Sequence, residues 1–565
     1  MTISGQTQLK EPTGAPLTAE PLYGRAMSAI SWRFLSESSK FILQLTVMVI
    51  LARLIHVDQF GLLALAMVVI NLVIDISEIG VNIAVIQRKD LTDMHIRVAF
   101  SLSILFGLLF TITVYVMAPF AAILLQSDEV IPILRLISVT VILTSAGKVA
   151  YALLQRKLEY RNLLIAELGS YAFGYVPVGI SLALLGYGVW ALVWAGLIQT
   201  LLRTILFLHV APHPMRPSFS LSEARQLLGF GVGQSLFNLA NYAAHNGDYF
   251  VVGRQLGATA LGLYSRAYQL LTMPMYQFTS VISSVLFPVY SLIQDESERL
   301  KRAYLASLFL SAIIIAPILA CLGVAAPEIM AGVFGPEWIG AAAPLQILCV
   351  GGLFHSMYGA GDSLARAKGA VYLKFACHSI YAACVFSCSF IGSRWGINGV
   401  AVGVVVAITV IYLLMAWLTT KLVGASWKEY FLCQAPGAIL GVVAAAFTIL
   451  ATQLLRYAHL PRLVILAGAV ITSTVAGVLA GLSLPRAWLN NVSFGAVDII
   501  EQLADTVGRR LQAYPCRNRL AFKLVAAIYK WYKIAQSIIK VTREGLRATL
   551  LRSRRATSRQ ANRHD

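Results

Sequence analysis

Fourteen stretches of mostly apolar residues, each long enough to cross a bilayer, run along the chain at 28–53, 61–85, 98–119, 131–154, 163–185, 189–209, 226–252, 261–287, 303–325, 340–362, 370–392, 397–419, 430–452 and 462–484. A helix needs roughly 20 such residues to span a hydrocarbon core, where every backbone N–H and C=O must be bonded within the segment itself. A membrane barrel would instead show alternating segments of about ten residues. The expected fold is therefore all-α, a polytopic membrane protein of about 14 transmembrane helices. Charged residues make up 13% of the 565 residues, against about 25% in soluble domains, and mean hydropathy is +0.73. The first 24 residues lack the charged start, short apolar stretch and small-residue cleavage site of a secretory signal. The first apolar segment is thus expected to remain as a membrane helix.

Loop charges set the orientation. With the N-terminus inside, the N-terminal segment and inner loops hold 17 Lys and Arg, while the outer loops hold 5, namely Arg53, Arg254, Arg394, Arg456 and Arg462. An excess of basic residues marks the cytoplasmic side, so both termini are expected there. Residues 485–565 hold 16 Lys+Arg against 5 Asp+Glu. Because this tail follows a membrane domain, its expected partners are anionic inner-leaflet lipids and not nucleic acid. Within it, 520–552 reads as an interfacial helix, with Leu524, Ile528, Trp531 and Ile538 broadly on one face and Lys523, Lys530 and Lys533 on another. The sharper reading of the tail is a docking site for cytosolic biosynthetic enzymes.

The chain also repeats itself. At an offset of 201, VILARLIHVDQFGLLALAM (49–67) falls on FVVGRQLGATALGLYSRAY (250–268), matching Arg53 with Arg254, Gly61 with Gly262 and Ala66 with Ala267. GYGVWALV (186–193) echoes GINGVAVG (396–403). Two copies of a six-helix unit, equally oriented because six is even, are expected around a central cavity. The expected organisation is a cytoplasmic segment 1–27, an N-lobe 28–210, a linker 211–225, a C-lobe 226–420, two extra helices in 421–484 and the basic tail 485–565.

Polar residues inside the apolar runs mark the candidate site. Arg33, Glu37, Lys40 and Gln44 are spaced 4-3-4 and share one helical face. Shifted by 201 they become Gln234, Asn238, Asn241 and His245, with Asp248 one turn on. Asn71, Asp75, Glu78 and Asn82 repeat the spacing in the second segment, and shift to Thr272, Tyr276, Thr279 and Ser283. Intramembrane charge is costly against lipid, so such stripes should face protein or a wet cavity. Helix-to-helix polar contacts that lock packing are the plainer explanation of any single stripe. Lys148 and Arg203 are lone intramembrane cations, and Arg203 also fits a side chain snorkelling to the inner surface.

Catalytic signatures are missing from the sequence. It contains no GxxxxGK[ST] phosphate loop, HExxH or nucleophile elbow. GFGVG (229–233) lies at the start of a membrane segment, not between a strand and a helix, and DESER (295–299) reads as a solvated loop. The seven cysteines lie mostly in apolar segments as small core residues, with no metal-ligand pattern. No cofactor or metal is expected, and the chain reads as a carrier and not an enzyme.

The strings ARLIHVDQFGLLALA, EIGVNIAVIQRKDL, LLQRKLEYRN, GYGVWALV, VVGRQLGATALGLYSRAYQLLTMP and VLFPVYSLIQDE resemble the Wzx-type polysaccharide transporters of the multidrug/oligosaccharidyl-lipid/polysaccharide exporter superfamily. The likeness covers about residues 28 to 420, and the tail is unlike anything in that family. The resemblance implies a protein of the bacterial inner membrane that flips an undecaprenyl-diphosphate-linked oligosaccharide from inner to outer leaflet by alternating access, for O-antigen or exopolysaccharide assembly. It also implies a cationic central cavity and a place beside polysaccharide polymerase and other glycan assembly proteins. A diphosphate needs paired cations in a low-dielectric site. On that expectation Arg33, Lys40, Arg53, Gln234, Asn238, Asn241, Arg254 and Arg266 are the candidate substrate-binding residues. Glu37, Asp75, Glu78, His245 and Asp248 are the candidates for charge balance or ion coupling. A peptidoglycan-precursor flippase and a drug/ion antiporter of the same superfamily remain open alternatives, as does, less readily, a membrane polymerase or ligase, which would need a large catalytic outer loop.

Overall fold

The computed structural model describes residues 39–77, 84–86, 88, 90–157 and 159–483; at 224–240, 277–285, 288, 371, 478 and 482–483 it describes the backbone alone. The expectations for segment 1–27, Arg33, Glu37, Glu78 and the tail 485–565 lie outside the described residues, as do the side chains of Gln234 and Asn238. Among the described residues the only regular elements are helices. They are α1 (39–54), α2 (Val57–Ser77), α3 (Asp93–Leu125), α4 (Val130–Arg156), α5 (Tyr160–Leu184) and α6 (Val189–Val210). Leu221–Leu292 is broken at Gly257, whose φ of 85° ends one helix and starts the next, giving α7 (221–256) and α8 (258–292). Then follow α9 (Ser297–Val324), α10 (Ala342–Ala367), α11 (Val371–Gly392), α12 (Gly396–Val423), α13 (Ala435–Tyr457) and α14 (Arg462–Ser483).

Helices thus fall on each of the fourteen apolar stretches. Ten described segments are long and apolar enough to cross a membrane, one of them, Tyr372–Val423, holding both α11 and α12. The outer surface confirms the solvent for which the bundle is built. On α3, Leu109, Ile112, Val116, Phe120 and Ile123 are all at least half exposed along one face, an arrangement water would penalise and lipid does not. The chain is a multi-pass membrane protein.

Packing follows the repeat. In the first half α3 lies on α4, and both α4 and α5 lie on α6; in the second, α9 lies on α10, and both α10 and α11 lie on α12. α13 packs on α9, and α14 on α13. The halves meet where α2 runs against α7 and α8. There the backbones touch: a Cβ on Gly61 would lie 1.7 Å from the Ala258 carbonyl oxygen, and one on Gly262 would lie 2.3 Å from that of Val57. Val57 and Gly61 shifted by 201 are Ala258 and Gly262, so this crossing has local twofold pseudosymmetry. Only small residues allow such an approach, and without a hydrophobic drive between helices in lipid, close packing has to hold them.

Candidate functional site

Two cavities flank α2, and three of its residues, Leu63, Met67 and Asn71, line both. The first, about 500 Å³, lies inside the first half between α2, α4, α5 and α6. The second, about 420 Å³, lies between the halves, walled by α2, α7, α8 and α10. Asn71 and Thr272, related by the offset, face the second cavity from opposite halves, and Tyr276 and His245 line it from the second half. Of the stripe residues with described side chains, Asn71, Thr272, Tyr276 and His245 line this cleft, whereas Lys40, Gln44, Asp75, Asn241 and Asp248 line neither cavity.

Charge concentrates in the first cavity. Lys148 on α4 and Arg203 on α6 line it together with Glu167 on α5. Glu167 is bonded by Lys40 of α1 at 3.0 Å, and Arg203 interacts electrostatically with both Glu167 and Tyr151. Lys148, Glu167 and Arg203 each stand seven or eight residues from the end of their helix that the loop charges place inside, a common depth of about 11 Å. Thr144, Thr200, Gln199 and Tyr175 add neutral hydrogen-bonding groups to the wall. Two lining cations, with Lys40 bonded to the one lining carboxylate, suit a multiply charged anion better than a cationic ligand.

Arg266 joins the two cavities. It lines the second, stacks over the Phe60 ring at 4.2 Å, donates to Gln269, and interacts with Tyr171 and Tyr175 of the first half as well as Tyr249. Asp75 interacts with Tyr242, whose hydroxyl donates to the Val68 carbonyl at 2.5 Å. Asp248 is buried and accepts from the Tyr264 hydroxyl at 2.7 Å and the Tyr249 N–H at 2.9 Å. Asn241 lies on α7, half-buried, outside the lining of both cavities.

Arg53 and Arg254 stand elsewhere, at the ends of α1 and α7, away from the cleft. Arg53 donates to the carbonyls of Val333 (2.7 Å) and Gly332 (2.6 Å) in the α9–α10 connection, and Arg254 donates to the Leu124 carbonyl at the end of α3. Each thus ties its own half to the other. Trp338 completes the closure: it is buried against Phe60, and its indole N–H donates to the Ala52 carbonyl at 2.9 Å. Geometry explains the difference from expectation, since both arginines lie past the last apolar turn, where carbonyls at helix ends need donors. Sequence reasoning underrated Lys148 and Arg203 and passed over Glu167. Their signal was a single charge within an apolar run, seven or eight residues from a helix end.

A family model described as "Polysaccharide biosynthesis protein" matches residues 50–343. The chain belongs to that family. It is 27% identical over 421 residues to the lipopolysaccharide biosynthesis protein WzxC of Escherichia coli (strain K12), covering 72% of this chain and 84% of the relative. It is 28% identical over 323 residues to the succinoglycan biosynthesis transport protein ExoT of Rhizobium meliloti (strain 1021), covering 57% and 65%. Among solved structures it is similar to the lipid II flippase MurJ in an inward closed conformation, with a TM-score of 0.64 at 14% identity, covering 79% of this chain and 97% of the other. That last likeness is one of fold. Family members and fold neighbours are named for biosynthesis, transport and flipping, not for catalysis, in keeping with a chain that is not an enzyme.

Proposed function

We propose that this protein flips an undecaprenyl-diphosphate-linked oligosaccharide from the inner to the outer leaflet of a bacterial inner membrane, by alternating access, with both termini cytoplasmic. The observation that carries the reading is the cationic cavity of the first half. A diphosphate on an inner-leaflet lipid sits at the depth of Lys148 and Arg203, and its charge would compete with Glu167 for Lys40 as it arrives. Arg266 then offers a second cation on the far side of α2, next to the tyrosines and the polar residues of α8, where sugar hydroxyls find hydrogen-bond partners. Asp75 and Asp248, with Glu37 and Glu78, would balance charge when the cleft is empty. Support comes from the family, from relatives named for lipopolysaccharide and succinoglycan biosynthesis, and from a polar cleft enclosed by two repeated halves. Arg33, by its sequence spacing from Lys40, and Gln234, Asn238 and Asn241 of α7 stay in the proposed substrate path.

The test is to replace Lys148 and Arg203 with Gln, which keeps length and polarity but removes charge. With the variant present at normal level in the membrane, surface glycan should fall at least tenfold while lipid-linked intermediate accumulates. Normal export at normal abundance would remove the cavity from the mechanism.

A further inference from the structure

Titratable groups are also gathered in the second half, apart from the cationic cavity. His245 of α7 and His355 of α10 both line the cleft, with ring centroids 5.9 Å apart. Three residues along α10, the Tyr358 ring lies 5.5 Å from His355. The Tyr358 hydroxyl is 2.9 Å from Nε2 of His378 on α11 and 3.5 Å from Oδ1 of Asp362, one turn further along α10. Asp362 is held by Lys374 at 2.7 Å and Arg366 at 3.0 Å, and the Arg366 side chain is 45% exposed. The series therefore starts in the cleft and ends at water, at the end of α10 that the loop charges place inside. His378 and Lys374 are otherwise buried, 2% and 7% exposed. Three of the chain's nine histidines thus stand in one cluster, His245 and His355 joined to Tyr358 by ring contacts and His378 through the Tyr358 hydroxyl.

The surroundings matter for any proton carried there. From α7 Asp248, from α8 Tyr268 and Tyr276, and from α11 Tyr381 face the set; Tyr381 lies 6.2 Å from His245. From α12, Tyr412 packs on Phe354, beside His355. Buried ionisable groups strung along a membrane helix are expensive as mere glue, and they are the form that proton relays take. Histidine is the side chain whose ordinary titration falls between pH 5 and 8.

We propose that His245, His355, Tyr358, His378 and Asp362 conduct protons between the central cleft and the inner surface, and that the proton is the ion whose inward movement drives transport; this rests on the flippase reading. His245 or His355 takes a proton from the cleft when the cleft faces outward. The Tyr358 hydroxyl accepts that proton as it passes its own to the Asp362 carboxylate, directly or by way of Nε2 of His378, from which the proton returns through the same hydroxyl to Asp362. The proton leaves from Asp362 to inner water, which restores the starting state without any further reactant.

The experiment measures surface glycan export, normalised to lipid-linked intermediate, in cells making the full chain at external pH from about 6 to about 8. Wild-type export should fall steadily across that range, as the cleft histidines are protonated less often at higher external pH. His378→Gln and Tyr358→Phe should export slowly and without pH dependence. Tyr358→Phe removes one oxygen and secures the test should the histidine variant fail to accumulate. Arg203→Gln should lower export but keep the slope. A wild-type slope retained in both relay variants, or no slope in the wild type, overturns the proposal. Normal export by Arg203→Gln would instead count against the anion cavity and leave the relay standing.

Discussion

Replacing Gly61 with Ala places a methyl group 1.7 Å from the Ala258 carbonyl oxygen, where ordinary contact begins at 3.4 Å, so α2 and α8 must part by about 1.7 Å at their crossing. Forced overpacking of this kind costs about 1–3 kcal/mol. If the crossing exists only while the outer end is closed, that cost shifts the balance toward the outward-open state by about 5- to 150-fold. Gly262→Ala should act in the same direction by pseudosymmetry, through the Val57 carbonyl at 2.3 Å. The assay uses Asn71→Cys, which faces both cavities, in a background with the native cysteines replaced, and a membrane-impermeant maleimide added to right-side-out vesicles. Labelling should rise at least fivefold in either variant. Gly477→Ala, where an added Cβ meets nothing within 4 Å, should leave it unchanged. Unchanged labelling in both Gly61→Ala and Gly262→Ala, at normal abundance, would refute the idea that this crossing belongs to one transport state.

Arg53→Ala and Arg254→Ala remove the donors that tie each half to carbonyls of the other; the same maleimide assay should show increased labelling, with the double variant exceeding either single one. Lys40→Gln leaves Glu167 without its 3.0 Å partner, so export should drop several-fold and recover in part when Glu167→Gln is added, as measured by surface glycan. Reporter fusions at residues 58, 258 and 565 should report outside, outside and inside, and outside activity at 565 would contradict the loop-charge reading.

The helices were legible in the sequence because in lipid a span announces itself by length and hydropathy alone. The repeat at 201 was legible because Gly61 and Gly262 must be small where α2 and α8 cross, and both copies keep that requirement. α7 and α8 were legible as apolar runs, and their interruptions His245, Arg266 and Thr272 face the cleft. The site was legible only in part. Stripes of polar residues give a direction around one helix, but not which other helices come to meet it. So Glu167, brought to Lys40 from 127 residues away, and the partners His355, Tyr358 and His378 were invisible to spacing along a single segment. Arg53 and Arg254 were legible as a match across the repeat, but not the carbonyls of the opposite half to which each donates.

Direct flipping by the purified protein tests the central claim. Vesicles containing the full chain and an undecaprenyl-diphosphate-linked oligosaccharide, labelled on its sugar, would be treated from outside with an impermeant glycosidase, and the protected fraction followed over time. The wild type should expose the inner-leaflet pool at a rate at least tenfold above protein-free vesicles, with Lys148→Gln and Arg203→Gln combined returning it close to that background. A wild-type rate equal to protein-free vesicles would contradict the account.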